Sequence, residues 1–130
     1  MSFTPLSKRH EEIGAIVVDC AFRVHKELGP GLLEKFYEEC LCYELEQAGL
    51  QVSRQVCLPF MYRNVILCKS LRMDIVIEEM VIAETKAVEQ INPVWEAQIL
   101  SHLKITGYRL GFLINFNVPL IKQGIKRIVL

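Results

Sequence analysis

The sequence predicts an α/β fold in which a mixed β-sheet is flanked by helices, in the order α-α-β-β-β-α-β-β. Two amphipathic helical patterns come first, followed by three strand-like runs, one more helix and two further strand-like runs. A helix between two strands is the usual crossover that joins parallel strands, whereas short turns join antiparallel strands. The pattern therefore indicates a sheet with both kinds of pairing and with helices on its two faces.

The two predicted helices at the start are separated by a glycine-proline-glycine turn. Apolar residues at helical spacing run through residues 7–28, and Gly29, Pro30 and Gly31 end this pattern. Proline is favoured near the first turn of a helix, so we expect a second helix over about residues 32–48, ended by Gly49.

Three strand-like runs follow, over residues 52–61, 65–77 and 81–88, with candidate turns at residues 63–64 and 78–79. Asn92 and Pro93 are typical of a helix start, and the third helix is predicted to reach Thr106. Residues 108–116 are almost uniformly apolar, which predicts a central strand covered on both faces. Residues 121–130 are expected to form the last strand.

Length and composition indicate one folded domain over residues 1–130. Hydrophobic residues make up 52% of the chain, which excludes a disordered protein. Basic and acidic residues both number 15, so any contact with a polyanion must come from a local patch. The five cysteines form no C-x-x-C pair, and we expect reduced thiols in a cytoplasmic protein. No signal peptide or apolar run of membrane length is present, so no membrane partner is expected.

Charged residues interrupt the two most hydrophobic strands. Glu84 and Lys86 share one face of their strand, and a hairpin loop at residues 78–80 would set Asp74 opposite Glu84 and Arg72 opposite Lys86. Two facing carboxylates repel each other, and a divalent cation between them removes the repulsion. The spacing D-x9-E-x-K therefore predicts a metal site with a lysine beside it. The alternative is a cross-strand salt-bridge ladder in which Arg72 and Lys86 neutralise the two acids.

Two polar residues on the predicted helices are candidates for the same pocket. Glu34 lies at the edge of the buried stripe of the second helix, together with Tyr37. Gln98 lies one helical turn from both Trp95 and His102. Each has a simpler alternative, because Glu34 also fits a first-turn carboxylate that complements the helix dipole, and Gln98 an ordinary surface amide.

The motifs taken together resemble the GxxExxY proteins, small members of the PD-(D/E)XK nuclease-like superfamily. Residues 31–37 match the motif G-x-x-E-x-x-Y, and the resemblance runs over nearly the whole chain. The other matching segments begin at His25, Arg72, Glu84, Glu96 and Leu113.

This resemblance implies a single nuclease-like domain with the restriction-endonuclease-like core. It implies Asp74 and Glu84 as metal ligands and Lys86 as the catalytic lysine. Glu34 and Gln98 would match the auxiliary helix positions of the superfamily, with Glu34 reaching the metal directly or through water. The chemistry would be metal-assisted phosphodiester hydrolysis, with Mg²⁺ or Mn²⁺ favoured by carboxylate oxygens.

The expected partner is nucleic acid, and DNA in particular. The candidate contacts are Arg72, Gln98, His102 and Lys104, where His102 occupies a position at which the family pattern has a tyrosine. An imidazole can also hydrogen-bond a phosphate. Further basic candidates, for most of which a charge-compensated surface is the alternative, are Lys69, Arg109, Lys122, Lys126 and Arg127.

A second function also fits the sequence. The chain would then be a catalytically weak nucleic-acid-binding or protein-interaction module that keeps the nuclease fold. Zero net charge and His102 favour this alternative, whereas the intact D…E-x-K pattern and Glu34 favour an enzyme. A homodimer or another protein partner is compatible with both functions.

Overall fold

The computed structural model describes residues 4–130 of the chain, apart from the side chains of residues 68–70. The predicted basic candidate Lys69 therefore lies outside the described side chains. The elements follow the predicted order, with a 3-10 turn before the last strand. The helices are α1 (Lys8–Leu28), α2 (Glu34–Gln47) and α3 (Val94–Thr106). The strands are β1 (Val52–Tyr62), β2 (Val65–Ile77), β3 (Val81–Lys86), β4 (Leu110–Asn115) and β5 (Ile125–Val129), and the 3-10 turn is Ile121–Gly124.

The five strands form one mixed sheet in the order β1-β2-β3-β4-β5. Strands β3 and β4 are parallel, with α3 as the crossover between them, and the other neighbouring pairs are antiparallel. Short loops at residues 63–64 and 78–80 close the two hairpins. Arg63 and Asn64 have φ values of 50° and 65°, as expected for the two-residue turn that matches strand twist. The predicted fold class is confirmed.

Helices cover both faces of the sheet and create two apolar clusters. On one face, residues of α1 and α2 such as Ile13 and Leu41 pack with Phe112 of β4. On the other face, Ile99 and Leu103 of α3 pack with apolar residues of β2, β3 and β4. All six residues of β4 are buried, as predicted for a central strand. Within residues 4–130, no helix has the length and apolar character needed to cross a membrane.

The start of α2 differs from the prediction, because the helix begins at Glu34 and Pro30 precedes it. The Tyr37 hydroxyl donates a hydrogen bond to the Gly29 carbonyl at 2.6 Å and accepts one from the Leu32 amide at 3.1 Å. These bonds hold the chain in a turn that delays the helix. Tyr37 is fully buried, so the turn is fixed to the core.

Two further boundaries differ from the prediction near Asn115. Strand β3 ends at Lys86, two residues early, because the Asn115 side chain binds both the amide and the carbonyl of Val88, at 3.1 and 2.9 Å. The predicted last strand is divided into the 3-10 turn and β5. A Cβ atom on Gly124 would lie 2.0 Å from the Asn115 carbonyl oxygen, so this close crossing of the chain requires glycine.

Candidate functional site

The predicted acids lie where β2 and β3 diverge. These strands pair at three positions, the last of which joins Ile75 to Ala83. In the same register the next two residues are Asp74 and Glu84, so the sheet begins to open at the two carboxylates. Strand β3 stays paired with β4 as far as Lys86. Strand divergence therefore gives the acidic groups a cleft on the side of β2.

Both carboxylates are removed from solvent. Asp74 and Glu84 are each only 8% exposed, and Oε2 of Glu84 is buried without a hydrogen-bond partner among the described residues. Among the described side chains, neither acid forms an ion pair with Arg72 or Lys86. The salt-bridge ladder is therefore not formed. A buried carboxylate oxygen without a donor is unfavourable and is open to a cation.

The charges at the cleft act on one another. Burial raises the pKa of Glu84, and the charge of Asp74 raises it further. Burial also raises the pKa of Asp74 and of Glu34, and the negative charge of Glu38 adds to both effects. The Lys86 ammonium opposes the rise in pKa at Glu34, Asp74 and Glu84. The fold thus brings four predicted site residues into one electrostatic neighbourhood.

The acids of the cleft do not form a ready-made metal cluster. Within the described part of the chain, no group of three or more His, Cys, Asp or Glu side chains is placed to hold a metal ion. Glu34, the first residue of α2, is only half-buried and influences Asp74 and Glu84 through its charge. In the register of the β2–β3 hairpin, Asp74 and Glu84 are the two acids that follow the last paired residues, Ile75 and Ala83.

Sequence reasoning missed Glu38, one turn after Glu34 on α2. Glu38 is 8% exposed, and its carboxylate accepts hydrogen bonds from Nη2 of Arg54 at 2.8 Å and from Nε2 of Gln55 at 3.3 Å. The sequence does contain a signal for it, because Glu34 and Glu38 are four residues apart and therefore lie on the same side of α2. Glu38 adds a fourth acid to the cleft, but one that already has an arginine partner.

Gln55 has an unusual backbone for a strand residue. Its φ is 50°, a left-handed value that is unfavourable for a residue with a side chain. The β1–β2 register skips Gln55 at the position facing Asp74, and both Gln55 and the preceding Arg54 reach Glu38. Consecutive side chains on one face require a break in strand alternation, and the left-handed backbone of Gln55 supplies this break beside Asp74 without shifting the β1–β2 register.

Helix α3 faces the other side of the cleft. The Lys86 Nζ atom lies 4.4 Å from the ring centroid of Trp95. His102 is half-buried, so that desolvation lowers its pKa, while the charge of Asp74 acts in the opposite direction. Gln98 lies between Trp95 and His102 along the same helical face and is exposed. Trp95 was noted in the sequence only as a neighbour of Gln98.

The predicted basic contacts are dispersed. Arg72 is exposed near the cleft, and its charge acts on Asp74. Lys104 is exposed but lies two residues after His102, which places it on a different side of α3. Arg109 donates hydrogen bonds to backbone carbonyls, while Lys126 and Arg127 pair with glutamates of α3 and α1. Lys126 and Arg127 therefore have compensating acids, as the alternative predicted, whereas Arg109 has only backbone partners.

A family model described as the PD-(D/E)XK nuclease superfamily matches residues 11–128. The chain belongs to the PD-(D/E)XK nuclease superfamily. This membership confirms the predicted superfamily and indicates nuclease-like phosphodiester hydrolysis and interaction with nucleic acid. The searches of curated proteins and of solved structures gave no significant match.

The cleft of this PD-(D/E)XK protein fits the divalent metal ions that the superfamily generally uses. The donors are oxygen atoms, which hard cations such as Mg²⁺ and Mn²⁺ prefer. Oε2 of Glu84 has no donor in the described part of the chain, and burial disfavours the charged form of the nearby Asp74 carboxylate. A cation would relieve both penalties, and water can complete its coordination, as is usual for Mg²⁺.

Proposed function

We propose that the protein is a metal-dependent nuclease that hydrolyses phosphodiester bonds in DNA with Mg²⁺ or Mn²⁺. The observation that carries this proposal is the buried, unpartnered Oε2 atom of Glu84 next to Asp74 at the divergence of two strands. A purely structural site would have provided this oxygen with a donor. The motif in residues 31–37 supports a place among the GxxExxY proteins.

Each residue of the cleft has a distinct part in the proposed reaction. Asp74 and Glu84 would hold the cation, and Glu34 would reach it through water. When bound, the cation would polarise a phosphoryl oxygen and lower the pKa of a water molecule. Lys86 would stabilise the negative charge that develops on the phosphate, since it lies on the same strand face as Glu84. Burial of the acids keeps the site partly dehydrated, which strengthens these interactions.

The substrate would enter from the side of α3. His102 is half-buried near Asp74, and Gln98 is exposed on the same helical face. Both side chains can donate hydrogen bonds to phosphate oxygens. Arg72, exposed at the cleft, would contribute a positive charge, while Lys104 would contact DNA only beyond the edge of this face. The formal net charge of zero makes such local contacts necessary.

The second candidate is a catalytically weak module that binds nucleic acid or protein. Among the described residues no three ligands are placed to hold a metal ion, which favours this candidate over a fully assembled enzyme. It predicts binding of oligonucleotides without metal-dependent cleavage. The enzyme predicts that metal binding and cleavage depend on the same two carboxylates.

The test is a cleavage screen with purified protein. Single- and double-stranded DNA and RNA are each incubated with Mg²⁺, with Mn²⁺ and with chelator. We expect metal-dependent cleavage of DNA. Asp74→Asn should abolish cleavage and metal binding, whereas Lys86→Ala should reduce turnover by about 10²- to 10³-fold and leave metal affinity unchanged.

Four results would contradict parts of the proposal. Cleavage of RNA alone would change the substrate, and binding without cleavage would favour the weak module. Equal loss of metal affinity and turnover in Lys86→Ala would mean that Lys86 only holds the carboxylates in place. Unfolding of Asp74→Asn without added metal would show that Asp74 is a structural residue.

A further inference from the structure

We propose that Trp95 is the positioning residue for Lys86 and holds the lysine ammonium over the face of its indole ring. The inference rests on the proposed hydrolase function. Nζ of Lys86 lies 4.4 Å from the ring centroid. Attraction between a cation and an aromatic face acts within about 6 Å, and tryptophan offers the strongest such face.

The topology explains why the ring meets the lysine. Lys86 is the last residue of β3, and the chain passes from there into α3, whose second residue is Trp95. Glu84 and Lys86 point to the same face of β3 because they are two residues apart. Helix α3 covers that face, so the first turn of the crossover helix meets the end of the strand.

The ring also explains an otherwise unexpected arrangement of charges. A lysine near two buried carboxylates would ordinarily form an ion pair with one of them. Among the described side chains Lys86 forms no such pair, and Oε2 of Glu84 has no donor. Trp95 therefore competes with the acids for the ammonium. The result is a lysine close enough to act on charge at the cleft, with the carboxylates left open to a cation.

The position of the ring is itself well determined. Trp95 packs against the apolar cluster that contains Ile99 and Leu103 of its own helix. The side-chain oxygen of Asn92 accepts a hydrogen bond from the Val94 amide, and its backbone carbonyl accepts one from the Trp95 amide, both at 3.0 Å. A ring fixed at the start of α3 can hold the flexible lysine side chain in one place. The lysine then loses less conformational entropy when the reaction takes place.

The contact can be measured without any reaction, because Trp95 is the only tryptophan of the chain. All intrinsic tryptophan emission therefore reports on this ring. We expect Lys86→Met to change the intensity and the maximum of the emission in the metal-free protein. The matched control is Lys26→Met on α1, an exposed lysine on a helix of the opposite sheet face, which should leave the emission unchanged.

The positioning role is tested by a double-mutant cycle on steady-state cleavage. Trp95→Leu keeps an apolar side chain but removes the aromatic face, and we expect kcat to fall about 10- to 100-fold with KM and Mn²⁺ affinity unchanged. The kcat of Trp95→Phe should lie between that of the wild type and that of Trp95→Leu. In the Lys86→Met background, Trp95→Leu should have no further effect on kcat, because the residue through which it acts is absent.

The outcomes separate this inference from the proposed function. Identical emission of the wild type and Lys86→Met would overturn the contact, whether or not the protein cleaves DNA. A loss of kcat that persists in the Lys86→Met background, or a rise in KM, would overturn the positioning role and assign the ring to substrate contact. A wild type that cleaves no substrate would overturn the proposed function, and a changed emission would then still establish the contact between ring and ammonium.

Discussion

Glu34 is the residue whose two possible roles differ most in their consequences. A carboxylate that only complements the dipole of α2 would contribute about 0.3–1 kcal/mol and leave the cleft unaffected. Glu34 is instead half-buried, and its charge acts on Glu84. We expect Glu34→Gln to melt near the wild-type temperature without metal and to bind Mn²⁺ about 10- to 100-fold more weakly, as measured by calorimetry.

The control for this prediction is Glu27→Gln, which removes an exposed glutamate from α1. It should change neither the melting temperature nor the metal affinity. If Glu34→Gln binds Mn²⁺ with wild-type affinity, Glu34 only complements the helix dipole. Asp74, Glu84 and Lys86 would then be the functional core.

The pKa shifts of the buried acids predict how the stability of the metal-free protein depends on pH. Burial raises the pKa of Asp74 and of Glu84 above their ordinary values of 3.8 and 4.5, and the negative charges of Glu38 and of Asp74, respectively, raise them further. The folded protein therefore binds protons more strongly than the unfolded chain. The resulting stabilisation is complete below the ordinary values and is lost as pH rises through the raised ones.

Urea denaturation with chelator present, over a series of pH values, measures this effect. Asp74→Asn should lose stability less steeply than the wild type as pH rises above 4, because one raised pKa is gone and the pKa of Glu84 falls. Parallel pH profiles for the two proteins would contradict the prediction. Metal affinity should change in the opposite direction and increase with pH, since ligands bind in their deprotonated form.

At the scale of elements, the start of α2 is decided by one side chain. Tyr37 fixes the turn through two hydrogen bonds and stacks on Phe116 with ring centroids 4.6 Å apart. Tyr37→Phe keeps the ring and removes both bonds, so we expect a loss of roughly 1–3 kcal/mol in the free energy of unfolding. Because Glu34 is the first residue of the helix, Mn²⁺ affinity should also fall.

The matched control is Tyr43→Phe, which removes an exposed hydroxyl from the same helix. Its stability and metal affinity should equal those of the wild type. A destabilised Tyr37→Phe with wild-type metal affinity would show that the turn supports the fold without positioning Glu34.

At the scale of the whole molecule, the site should couple metal binding to stability. A ligand that binds only the folded state stabilises it by about 2.7 kcal/mol at a concentration 100 times its Kd. For a chain of 130 residues this corresponds to a rise in Tm of roughly 10 °C. Thermal melting with and without Mg²⁺ or Mn²⁺ measures the shift. Asp74→Asn should lose it, and an equal shift in that variant would place the bound metal elsewhere.

The sequence by itself determined the element order, the mixed sheet and which residues face each other across the β2–β3 hairpin. Hydrophobic periodicity distinguishes helix from strand, and the side-chain period of two fixes which residues share a face. If residues 78–80 form the loop of the hairpin, the register that pairs Ile77 with Val81 places Asp74 opposite Glu84. These inferences depend on the local pattern of residues and on pairing between neighbouring segments, and both can be read from one amino-acid sequence.

Only the tertiary structure decided how the cleft is lined and which charges are paired. Residues 38 and 54–55 meet there because α2 packs beside β1. The left-handed backbone of Gln55 could not be predicted, because glutamine does not favour that conformation. The contact between Lys86 and Trp95 depends on where the crossover helix lies on the sheet. Such contacts join segments that are distant in sequence, and their geometry is set by the packing of the whole core.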